Sequence, residues 1–75
     1  MQEYLINVTE IEELQMISNV DELKKIFARA KRTVVHGSKV ILARKDNTGL
    51  VHPFDEVTTE EDLERYRKNV FKYLD

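Results

Sequence analysis

The chain has 75 residues, 41% of them hydrophobic, with three Phe, three Tyr, two Met, no Trp and a formal net charge of −2. That is enough apolar material for one domain spanning 1–75 and too much for a disordered chain. The absence of Cys excludes disulfides and thiolate metal sites, and the near-neutral balance gives no overall pull toward nucleic acid.

The first residues, MQEYLINVTE, have no basic region followed by a long apolar one, so no secretory signal is expected. No run approaches the ~18 apolar residues of a membrane span. A cytoplasmic protein is the expectation, consistent with a Cys-free sequence. A single core in a chain below about 70–80 residues is thin, and such chains often lean on a partner.

Residues 3–8, EYLINV, are short and rich in β-formers, as in a strand. Thr9 with Glu12 has the spacing of a capping box, and 9–16 reads as a short helix or as extended chain. Asn19 with Glu22 repeats that signature. Val20, Leu23, Ile26, Phe27 and Ala30 then mark one face of a helix over about 20–31, with acids in its first turn and bases in its last.

The segment TVVHGSKVILARK, residues 33–45, reads as two strands joined at Gly37-Ser38. In that register one face carries Thr33, Val35, Val40 and Leu42, and the other Val34, His36, Lys39, Ile41 and Ala43. DNTG, residues 46–49, signals a second turn before a third strand over Leu50, Val51 and His52, ending at Pro53. Thr58 and Thr59 compete to cap a last helix over about 59–74. Its first turn holds Glu60, Glu61 and Asp62, and Leu63, Tyr66, Val70, Tyr73 and Leu74 share a face. The expected class is α+β: a small antiparallel three-stranded meander packed against two amphipathic helices, with a short N-terminal strand or helix.

Both faces of the 33–45 ribbon are apolar, and two helices do not readily cover both. The uncovered row points to a homodimer or a protein partner. Tyr4, Leu5 and Ile6 at an edge, with Val35, Val40 and Leu42 on the sheet, are the expected interface residues. Splitting the helices between the faces, folding the N-terminal segment back, or a surface row of β-branched residues with no role are the alternatives.

Charge is segregated along the chain. Residues 23–45 carry eight bases and no acid, between two stretches with six acids each and no base. Lys24, Lys25, Arg29, Lys31, Arg32, Arg44 and Lys45 are therefore candidates for phosphate contact. No exposed aromatic interleaves them as a single-strand platform requires, so a solvated face is the competing account.

His36, His52 and nearby acids match no metal-ligand spacing, Ser38-Lys39 cannot act as a dyad from opposite sides of a strand, and 60–62 reads as helix capping. No catalytic, cofactor or metal residue is assigned, and an enzyme would need a His–acid site built between subunits. Residues 36–68, HGSKVILARKDNTGLVHPFDEVTTEEDLERYRK, resemble small uncharacterised single-domain proteins of gut anaerobic bacteria. That resemblance covers about half the chain, carries no functional motif and implies no activity.

Overall fold

A computed structural model describes residues 3–72 and residue 74. The elements run β1 (Tyr4–Asn7), α1 (Val8–Met16), α2 (Val20–Val35), β2 (Val40–Lys45), β3 (Val51–Val57) and α3 (Glu60–Phe71). The class is α+β, but the sheet is mixed. Its order is β1-β2-β3, with β1 parallel to central β2 and β3 antiparallel to it. The expected antiparallel meander is thus corrected. The expected first strand of the 33–45 ribbon is helical, and β1 takes its place beside β2.

The correction has a physical reason. The apolar stripe Leu23, Phe27, Ala30 continues on helical period to Val34, and all four are buried. Burial of Val34 outweighs the β preference of Thr33-Val34-Val35. The helix then ends in a Schellman motif: Gly37 N–H donates to the Val34 carbonyl at 3.0 Å and Ser38 N–H to that of Thr33 at 3.0 Å. Gly37 sits at φ +86°. Positive φ serves this motif as well as a tight hairpin, so the Gly-Ser signal was ambiguous. Helix α1 ends the same way, with Ser18 at φ 53° and bonds from Ser18 and Asn19 to the carbonyls of Gln15 and Leu14.

The helix starts follow side-chain capping. Asn19 Oδ1 accepts from Glu22 N–H at 3.2 Å, as the sequence suggests. Thr59 rather than Thr58 caps α3, accepting from Asp62 N–H at 3.1 Å. Asn7, not Thr9, caps α1. Tyr73, expected on the α3 face, lies outside the described residues.

Strand β3 runs through Pro53 to Val57. The register shifts between Leu42 and Ala43, which pair with Asp55 and Pro53, leaving Phe54 as the extra residue of a bulge. Pro is tolerated there because β3 is an edge strand.

One face of the sheet, carrying Tyr4, Ile6, Val40, Leu42 and Val57, packs against all three helices in a single core with Ile11, Leu23, Phe27, Val34, Leu63, Val70 and Phe71. Phe27 anchors it, with ring centroids 5.5 Å from Tyr66 and 5.8 Å from Phe71. Two ties hold α1 in the layer: Gln15 Nε2 donates to the Val70 carbonyl at 3.0 Å, and Arg44 pairs with Glu12 at 2.7 Å. Among the described residues the buried Tyr66 hydroxyl has no hydrogen-bond partner, and burial, with the Glu12 carboxylate adding to it, pushes its pKa up to about 12. The resulting slab measures 33 × 32 × 16 Å.

Two expectations follow, both read from chemical denaturation. Gly37→Ala lowers stability by about 1–2 kcal/mol, whereas Ser18→Gly, relieving the same left-handed backbone, leaves it unchanged or raises it by up to about 1 kcal/mol. Tyr66→Phe is neutral or stabilising by about 1 kcal/mol, because the hydroxyl it removes has no partner.

Candidate functional site

In an extended strand, side chains alternate between the two faces. With Ile6, Val40, Leu42 and Val57 turned to the core, the register puts Leu5, Ile41, Ala43, Lys45, Val51 and Glu56 on the opposite side. Phe54 is the extra residue of the bulge, where the alternation is interrupted; it is exposed and adjoins Pro53, whose partner Ala43 turns to the open side. Leu5, Val51 and Phe54 are 44%, 42% and 57% exposed, and Ile41 is half-buried. Ala43 is buried but lies outside the core cluster. An apolar band therefore crosses the open face from β1 to β3.

Charges flank the band. Lys39 Nζ lies 2.8 Å from Glu56 and 3.4 Å from Glu3, and these two carboxylates raise its pKa. Lys45 sits at the other end, beside Val51. The sheet's edges are guarded differently. Strand β3 carries Pro53, the bulge, Asp55 and Glu56, all of which oppose addition of a further strand, and β1 is only four residues long.

The structure redistributes the expected interface residues. Ile6, Val40 and Leu42 are in the monomer's core. Tyr4 is half-buried under Arg29, whose guanidinium lies 4.8 Å from the ring centroid. Val35 is exposed at the end of α2, in a helix rather than on the sheet. Leu5 alone of the six lies in the open apolar band. Phe54 and Val51 were missed as members. Reading Pro53 as a terminator hid Phe54, while the alternation from Asp55 to Val57 beyond it was the available signal.

The seven basic candidates also divide. Arg44 is held by Glu12, Arg29 lies over Tyr4, and Lys45 belongs to the open sheet face. Lys24, Lys25, Lys31 and Arg32 share the exposed side of α2. No continuous strip from helix to hairpin forms.

The two histidines are not brought together. His36 caps α2, its Nδ1 lying 2.8 Å from the Arg32 carbonyl, so the expectation of a strand position for it is corrected. His52 Nε2 lies 2.7 Å from Asp46 Oδ2 at the turn end of the β2–β3 hairpin. Asp46 Oδ1 also accepts from the Thr48 hydroxyl (2.6 Å) and from the backbone N–H of Thr48 (2.8 Å) and Leu50 (3.0 Å). Among the described residues no three His, Asp or Glu side chains converge in metal-binding geometry, and no helix is long and apolar enough to cross a membrane.

No protein-family model matches this chain, and no curated protein or solved structure gives a significant match. The surfaces just described are thus the observations from which function is argued.

The Asp46 cluster generates a pH expectation. The Thr48 hydroxyl foremost, then His52 and the two backbone N–H groups, hold the Asp46 carboxyl well below the usual carboxylate range. A depressed folded-state pKa contributes stability above the unfolded value of about 3.9 and loses it as pH falls toward the folded one. Acid titration of the thermal unfolding midpoint is expected to show this loss below about pH 4. Asp46→Asn, which keeps an acceptor oxygen but no charge, flattens that limb.

Proposed function

We propose that this chain is a small non-enzymatic interaction domain that works as a homodimer through its open sheet face. The observation that carries the reading is the placement of all three helices on one side, with Leu5, Ile41 and Val51 left together on the other and Phe54 exposed at the bulge beside them. A broad face of a 33 × 32 Å slab is large enough for the ~800 Å2 per partner of a standard interface.

Charge favours a second copy as the occupant. Glu3, Lys39 and Glu56 stand at one end of the face and Lys45 at the other. A two-fold axis lying in the interface and crossing the strands sets Lys45 of one copy over the acidic end of the other. The apolar bands then stack in the middle, as in face-to-face sheet packing. The guarded edges argue against the competing strand-to-strand association. The reading keeps the protein in the cytoplasm, a setting compatible with its lack of Cys.

Sedimentation from micromolar to millimolar protein is expected to show a monomer–dimer equilibrium. Phe54→Lys weakens it by at least about tenfold, the equivalent of one lost buried aromatic contact. Lys45→Glu weakens it by a smaller factor and reduces its salt sensitivity. A species that stays monomeric at millimolar concentration, or a dimer indifferent to Phe54→Lys, overturns the proposal.

A further inference from the structure

We infer that the exposed side of α2 binds the phosphate backbone of a nucleic-acid duplex, without reading sequence. The site comprises Lys24, Lys25, Lys31 and Arg32, arranged around Ala28.

Lys24 and Lys31 are seven residues apart, as are Lys25 and Arg32. Each pair spans two helical turns, about 10.5 Å, on one side of the rod. Ala28 lies midway, exposed and without side-chain bulk, so a backbone can approach between the pairs. Along α2 no acid follows Glu22. Among the described residues, Lys24, Lys31 and Arg32 are held by no carboxylate. Lys25 meets Glu22 only at 3.9 Å, with both side chains largely in water. Across the groove that Lys24 and Lys31 share with Phe27 and Leu63, α3 contributes Arg67 and Glu64, 3.8 Å apart, so the cationic set is that of α2 itself.

The charge pattern selects the occupant. A second copy related by a two-fold through Ala28 would set Lys25 against Lys31 and Lys24 against Arg32, stacking like charges at close range. The surface repels itself and requires an anion. No aromatic side chain is exposed on α2, so a base-stacking platform for single strands is missing, and a regular array of phosphates is the ligand that suits rigid, regularly spaced cations. The inference is independent of the open sheet face, which lies on the other side of the slab.

Fluorescence anisotropy with a mixed-sequence duplex, measured over a range of salt concentrations, tests it. The full chain is expected to bind at low salt, with the logarithm of affinity falling against that of salt with a slope of about −3 to −4 for four phosphate contacts. Lys31→Gln and Arg32→Gln each reduce the slope magnitude by about one and weaken binding to different duplex sequences alike. Asn47→Asp, which makes the same change of net charge at the hairpin tip, leaves the slope unchanged. Each substituted side chain is exposed, and circular dichroism checks that the variants fold. Absence of binding at low salt overturns the inference. So does equal loss in Asn47→Asp, tighter binding to a single strand of the same length, or displacement by polyglutamate at equal charge, which would mark an acidic polypeptide as the occupant.

Discussion

The parallel pairing of β1 with β2 is the constraint from which the architecture follows. Tyr4–Asn7 and Val40–Lys45 point the same way, so the chain between them has to cross back over the sheet. Helices α1 and α2 form that crossover, and their apolar stripes settle on one face. Helix α3 joins them because Phe27 offers it an aromatic seat through Tyr66 and Phe71. Every helix is then on one side. The chain becomes a two-layer slab, and among the described residues no helix covers the second sheet face.

That arrangement also redistributes charge. Segregated along the chain, acids and bases meet in space: Lys39 lies between Glu3 and Glu56, Arg44 against Glu12, and Arg29 over Tyr4. These pairs are largely exposed, so each contributes little to stability. Their larger effect is to subtract cations from the basic stretch and leave a defined set on the exposed side of α2. The slab therefore has two unlike surfaces, an apolar one with balanced charge at its ends and a cationic helical one. Face-to-face pairing of the first would leave the second outward in both copies, so the two associations do not compete for area.

Phe54 illustrates how a small local irregularity builds a surface. The bulge opposite Leu42 and Ala43 inserts one residue into an edge strand already marked by Pro53. The same device that discourages strand addition leaves an aromatic ring exposed beside the open face. Edge protection and face exposure thus come from one three-residue stretch, Pro53-Phe54-Asp55.

Helical period and capping chemistry made much of the fold legible in the amino-acid order alone. The stripe Leu23, Phe27, Ala30, the Asn19 cap and the DNTG turn are local signals realised where the sequence puts them, whereas Thr58 and Thr59 compete in the sequence and the fold selects Thr59. The interface set read from the sequence, Tyr4, Leu5, Ile6, Val35, Val40 and Leu42, has only Leu5 on the open sheet face, and the 33–45 ribbon from which it was argued is helical in its first part. Three things were decided only by tertiary structure. Thr33-Val34-Val35 became helical because Val34 gains burial in the core, a term absent from local propensity. Strand β1 found a parallel partner that four residues cannot specify. Finally, Ile6, Val40 and Leu42 turned inward while Leu5, Ile41 and Val51 turned outward. A period of two separates the faces of a strand but does not say which one the helices cover; that choice is made only when the crossover closes.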